Sequence, residues 1–199
     1  MSIMSLNALD PIRKTGEESF VFNGESTDIK LQEFWSWSSS DILNNAMRGV
    51  LAEFIVASSL GIADSCRVEW DAYDIITNDG IKIEVKSAAY LQSWKQSHHS
   101  NIGFDIRPTC SLNSETNIYN NDQIRQADVY VFCLLSHKDK LTVNPLDLDQ
   151  WDFYIIDTSI LNEVYPHQKR ISLNPLLKLK PIKARYSEIK KAIDIILNR

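Results

Sequence analysis

Residues 128–136 read DVYVFCLLS, with apolar side chains at seven consecutive positions after the opening acid. A strand turns successive side chains to opposite faces, so a run apolar at every position needs cover on both. Such a strand belongs inside a sheet that carries a layer on each side. Other strand signals lie at about 67–77, 81–90, 101–107 and 152–157, rich in Val, Ile, Phe and Tyr and bounded by turn-forming residues. SSSDILNNAMRGVLAEFIVASSLGI reads as a helix, with Ser40 or Asp41 as its cap and Gly61 at its left-handed end. At 100° per residue, Leu43, Ala46, Met47, Val50, Phe54 and Ala57 share its apolar face. Residues 158–165 suit a short helix. YSEIKKAIDIILN suits a C-terminal one, with Ile189, Ala192, Ile193 and Ile196 on one side. The order of elements implies an α/β domain with a mixed β-sheet flanked by helices.

Residues 1–39 have little periodicity and read as an N-terminal arm or peripheral strands, with strand character in SFVFNG; residues 40–199 form the domain proper. Trp35 and Trp37 alternate as on a strand and are expected to cover the core. No apolar run approaches the roughly 18 residues a membrane span needs. MSIMSLNALDPIRKTGEESF also lacks the apolar centre of a signal peptide, so a cytoplasmic protein with no membrane partner is expected. Cys66, Cys110 and Cys133 are widely spaced and odd in number, which argues for thiols rather than a disulfide framework or zinc knuckle.

The segment DIITNDGIKIEVK, residues 74–86, sets Asp, Glu and Lys among apolar strand positions. NDG between two such runs signals a hairpin. A two-residue loop would mix charge and hydrophobe on each face. A three-residue loop, Asn78 to Gly80 with Gly80 left-handed, pairs Ile75 with Ile83 and puts Asp74 opposite Glu84. Lys82, Glu84 and Lys86 then share one face, and Ile81, Ile83 and Val85 the other. Opposed carboxylates repel unless a cation neutralises them. A divalent metal does so with hard oxygens from Asp74 and Glu84 and the Val85 carbonyl, leaving Lys86 beside it. The competing reading is an exposed cross-strand ladder of salt bridges. Glu53 favours a site, because it falls inside the apolar arc of its helix, where a carboxylate is costly unless paired or metal-bound.

An inward helix Glu followed by a hairpin bearing Asp and then ExK resembles the PD-(D/E)xK nuclease superfamily, the restriction-endonuclease-like fold. The likeness runs through RGVLAEFIVASSLGI and VEWDAYDIITNDGIKIEVKSAAYLQSWKQ, with AYD where the superfamily usually has PD. It implies Asp74 and Glu84 as Mg²⁺ ligands (Mn²⁺ a substitute), Lys86 as the catalytic lysine and Glu53 as the helix acid. It also implies a DNA endonuclease of restriction or defence type acting on double-stranded DNA, with homodimers common. The alternative is a catalytically inactive module of the same fold that binds nucleic acid or a protein.

Gln92, Trp94, Lys95 and Gln96 follow the catalytic strand and are candidates for phosphate contacts and base stacking, or equally for core and solvated positions. His98 and His99 point to opposite faces of any strand and have no third ligand in register, so they read as a polar loop. Arg125 suits a helix-end cap. From Lys169 to Arg199 nine Lys or Arg face two acids, a local +7, whereas the preceding 168 residues carry −12. Lys190 and Lys191, with Lys178, Lys180, Lys183 and Arg185, could follow a phosphate backbone, or simply form a solvated helix face.

Overall fold

A five-stranded sheet organises the chain in the computed structural model, which describes residues 9, 11–67, 72–110, 112–113, 118–119 and 123–198. An N-terminal hairpin, β1 (Ser19–Phe22) and β2 (Glu25–Lys30), leads into α1 (Leu31–Ser39). The domain proper starts with α2 (Asn45–Ser59), then β3 (Ile75–Ile76), β4 (Lys82–Ala89) and β5 (Gly103–Asp105). Two short strands follow, β6 (Leu112–Asn113) and β7 (Ile118–Tyr119), then β8 (Val129–Leu135) and β9 (Trp151–Asp157). The chain closes with α3 (Thr158–Val164), β10 (Arg170–Ser172), α4 (Leu173–Lys178), β11 (Ile182–Ala184) and α5 (Ile189–Ile196).

The main sheet runs β11-β9-β8-β4-β3. Only β4 and β8 are parallel, which makes it mixed, and the described residues of their crossover contain no helix. β8 is buried at all seven positions, as its unbroken apolar run requires. Its odd-numbered residues join Ile83, Val85, Phe153 and Ile155 under α2 and α5. Its even-numbered residues join Phe104, Ile106, Tyr154 and Ile156 under the β5–β10 ribbon, α3 and α4. Full burial of each such side chain contributes on the order of 1.5–3 kcal/mol. No helix among the described residues is long and apolar enough to cross a membrane.

The helical face expected for α2 is corrected. Its buried residues are Arg48, Ala52, Ile55 and Val56, while Phe54 is mostly exposed. Apolar residues surround this helix, so periodicity leaves its rotation open, and the sheet takes the small and β-branched side. The cap is Asn44, whose side chain accepts the Met47 N–H at 3.0 Å, rather than Ser40 or Asp41. Gly61 does adopt a positive φ of 72°.

Trp35 and Trp37 also differ from expectation. Both lie on α1, which buries none of its residues, and Trp37 is 85% exposed. The Trp35 ring closes over Gly16, where a Cβ would stand 3.1 Å from it, so its packing is within the arm. Residues 68–71 of the strand expected at 67–77 lie outside the described residues.

Candidate active site

The hairpin folds in the register that sorts its faces. Ile75 pairs with Ile83 and Ile76 with Lys82. Thr77 and Ile81 close the loop, with Thr77 N–H donating to the Ile81 carbonyl and Gly80 N–H to the Thr77 carbonyl, both at 2.9 Å. Gly80 holds φ at 87° with open space around its missing Cβ. The backbone angle, not crowding, therefore calls for glycine there.

Beyond Ile75 the chain leaves strand geometry, yet Asp74 still donates its N–H to the Ile83 carbonyl at 3.1 Å. Its carboxylate reaches across, and Oδ2 accepts the Val85 N–H at 2.7 Å. Within a strand the N–H and C=O of one residue point the same way, so the Val85 carbonyl lies on this same edge. Lys86 Nζ sits 3.8 Å from Asp74 Oδ2 and forms a closer ion pair with Glu84 Oε1. One ammonium thus touches both acids. The three side chains are 19–27% exposed, open enough for a ligand and enclosed enough to strengthen charge interactions.

Burial raises the Glu84 carboxyl, and the neighbouring Asp74 and Glu53 charges add to this, while Lys86 opposes it. Burial alone would lower the Lys86 ammonium, but Glu84 and Asp74, helped by Asp105, outweigh it and hold it above the ordinary lysine range. Lys86 is therefore a cation at neutral pH.

Glu53, raised by burial, stands in an adjoining cleft of about 260 Å³ that is also lined by Phe54, Cys66, Arg67, Tyr73 and Asp74. Its carboxylate is held by Arg67, with Nη2 3.1 Å from Oε1 and Nε closer still to Oε2. The charges of Asp74 and Lys86 act on it, so it belongs to the same electrostatic neighbourhood without touching either.

Sequence reasoning missed Arg67, Asp105 and Tyr130. Tyr130 stands opposite Glu84 in the β4–β8 register. Asp105 comes from β5 and is bonded to Arg107, whose main-chain N–H lies 3.0 Å from Oδ1. A lone acid in GFDIR was the only hint of Asp105. The need of an inward Glu53 for a cation was the only hint of Arg67.

Gln92 is 5% exposed and its amide serves the fold, bonding to Arg48, Ala89 and Ser100. Gln96 bonds to Gln92 N–H, the Tyr90 carbonyl and Ser100. Lys95 is exposed in the same loop. Lys190 and Lys191 are exposed on α5, which covers the face opposite to that of Glu84 and Lys86. Arg125 caps the end of α3, with Nη2 2.7 Å from the Tyr165 carbonyl and Nη1 2.8 Å from Asn162 Oδ1.

Among the described residues, no three His, Cys, Asp or Glu side chains form a ready metal cluster. A cation here would draw on two carboxylates and the Val85 carbonyl. That all-oxygen set keeps a net negative charge beside the single Lys86 ammonium, and it fits a hard divalent ion.

No curated protein and no solved structure matches the chain. A family model does match it, that of bacteriophage T4 endonuclease IV, over residues 8–175. This span includes the hairpin, Glu53 and four of the five strands of the main sheet. By that match the chain belongs to the bacteriophage T4 endonuclease IV family.

Proposed function

We propose that the chain is a Mg²⁺-dependent DNA endonuclease with a PD-(D/E)xK-type centre, in which Asp74, Glu84 and the Val85 carbonyl hold the ion and Lys86 is the catalytic lysine. The carrying observation is the single ammonium of Lys86 within ion-pair reach of both Asp74 and Glu84 on adjacent strands. The endonuclease family supports the reaction class.

Hydrolysis of a phosphodiester requires in-line attack by water on phosphorus, with negative charge gathering on the non-bridging oxygens as the leaving oxygen departs. Bound Mg²⁺ would supply Lewis-acid polarisation of such an oxygen and of a water. Lys86 contributes a fixed positive charge at the same point. Paired with Glu84 and within reach of Asp74, its part is to stabilise the phosphate and orient the nucleophile. The Val85 N–H fixes the Asp74 carboxylate in place, so little side-chain freedom is lost on binding. Glu53, held by Arg67 in the neighbouring cleft, is assigned as an outer acid that tunes the field at Asp74 and is available to the ion through water.

The test is cleavage of duplex DNA, single-stranded DNA and RNA with Mg²⁺, Mn²⁺ or chelator by wild type, Asp74→Ala and Lys86→Ala. Cleavage that needs the divalent ion, disappears in Asp74→Ala and falls steeply in Lys86→Ala is expected. Undiminished cleavage by Asp74→Ala would remove the assignment. Retained nucleic-acid binding without cleavage by wild type would instead support the inactive binding module.

A further inference from the structure

After β4 the chain forms a strap, residues 90–100, that lies against the loop following β8. The strap is fixed from both sides. Arg48, 3% exposed, donates to the Gln92 side chain at 3.2 Å and to the Leu43 carbonyl at 3.1 Å. Lys140 Nζ donates to the Gln92 carbonyl and, at 2.7 Å, to the Trp94 carbonyl. His99 Nε2 stands 3.1 Å from the Lys138 carbonyl, and the Lys138 ammonium lies 4.4 Å over the Tyr90 ring.

Between strap and loop opens a cleft of about 560 Å³ whose lining includes Lys95, His98, His99, Lys138 and Lys140, and none of its described lining residues is acidic. Asp139, between the two lysines in sequence, turns its carboxylate onto its own loop, accepting from Leu141 N–H at 2.9 Å and Thr142 Oγ1 at 3.0 Å. Cations therefore gather here in a chain whose net charge is −5. Trp94, next to Lys95 in the strap, has its carbonyl bonded to Lys140 and is 52% exposed.

The placement relates this cleft to the candidate active site. Glu84, Lys86, Ala88 and Tyr90 follow one alternation, and Ala88 and Tyr90 pack in the same core cluster. The strap thus begins on the face of β4 that carries Glu84 and Lys86. Four residues of strand separate Lys86 from Tyr90, roughly 13 Å at about 3.3 Å each.

We propose that this cleft is a second nucleic-acid subsite, in which Lys95 and Lys138 hold phosphates of the strand beyond the scissile bond while Trp94 stacks on a base. It rests on the nuclease reading for the position of the scissile bond, but the cleft's affinity for phosphates does not depend on cleavage. Lys140, bonded to two carbonyls, is a positioning residue for the strap.

The experiment measures binding of fluorescein-labelled single-stranded and duplex oligonucleotides of 4 to 16 nucleotides by anisotropy across a salt series, with chelator present so that nothing is cut. Wild type is compared with Lys95→Gln/Lys138→Gln, with Lys95→Glu/Lys138→Glu and with Trp94→Ala, each checked by its thermal midpoint. Loss of two phosphate contacts should lower the magnitude of the log–log salt slope by about 1.4 for single strands or about 1.8 for duplex. Affinity should fall at every length, because the cleft alone can hold the shortest oligonucleotide. Trp94→Ala should weaken binding without altering the slope. Folded variants with wild-type affinity and slope at every length would overturn the subsite. Cleavage by Asp74→Ala would overturn the nuclease assignment alone, so the two failures are distinguishable.

Discussion

The Asp74 carboxylate accepts the Val85 main-chain N–H at 2.7 Å, so the residue just before β3 is fastened to the middle of β4. The bond has two consequences. It terminates the β3–β4 pairing by replacing a main-chain acceptor with a side chain, and it holds one carboxylate oxygen beside Lys86. Asp74→Asn separates them, because an amide oxygen can still accept the Val85 N–H but carries no charge. The thermal midpoint of Asp74→Asn is expected to stay within a few degrees of wild type, while divalent-ion-dependent cleavage falls by ~100-fold or more. Asp74→Ala should lose both activity and some stability. Equal activity in Asp74→Asn and wild type would make the Asp74 role architectural.

The acid limb of the pH–rate profile is the second prediction. Burial first, then the Asp74 and Glu53 charges, raise the Glu84 carboxyl. A raised carboxyl takes up its proton at a higher pH than an ordinary glutamate, and a protonated Glu84 is a poor metal ligand. Cleavage should therefore decline as pH falls from neutral, with a midpoint above that of an ordinary glutamate. More Mg²⁺ should move the midpoint down, because ion and proton compete for the same oxygens. A flat profile down to the ordinary glutamate range would detach Glu84 from the chemistry.

Arg125 offers a prediction about stability alone. It is 6% exposed and donates to the Ile106 carbonyl at 2.7 Å, to Asn162 and to the Tyr165 carbonyl. Arg125→Ala would strip these acceptors of their donor inside the protein, at about 1–3 kcal/mol for each that stays buried and unpaired. A fall of about 5–10 °C in thermal midpoint is expected. Turnover per folded molecule should be unchanged below that temperature. A midpoint equal to wild type would show that water replaces the guanidinium.

Local grammar made the hairpin readable. The NDG turn, the alternation on both sides and the charge pattern all point to one register, and Ile75 pairs with Ile83 accordingly. β8 was readable because a strand apolar on both faces has one kind of environment. The rotation of α2 was not, since Leu51, Ala52, Phe54, Ile55 and Val56 leave no polar side to count from, and only the β4 surface chooses among them. Trp35 and Trp37 misled because two residues cannot distinguish a period of 2 from one of 3.6. Asp105 acts on Lys86 from β5, nineteen positions later in the chain, through folding that no spacing rule encodes. The partner of Glu53 had the same difficulty: the need for a cation was legible, but Arg67 as its source was not.

The basic C-terminal segment provides the last prediction, and its location defines the form. β11 is the sheet edge opposite β3, and α5 lies with α2 on the face away from Glu84 and Lys86. Lys183 is already paired with Asp152 at 2.9 Å. Lys190 and Lys191 are exposed, on α5 over β9, two strands from β4 and so roughly 10 Å to its side at about 4.8 Å per strand. A short oligonucleotide bound at the hairpin cannot touch them, because the sheet lies between. Only nucleic acid long enough to pass around the edge of the domain can do so. Lys190→Glu/Lys191→Glu should therefore leave kcat and KM unchanged on an 8-nucleotide substrate. On duplexes of 30 base pairs it should raise KM and reduce the salt slope by up to about 1.8. Equal KM and slope on the long duplex would remove these lysines from the nucleic-acid path and leave them as the solvated face of an amphipathic helix.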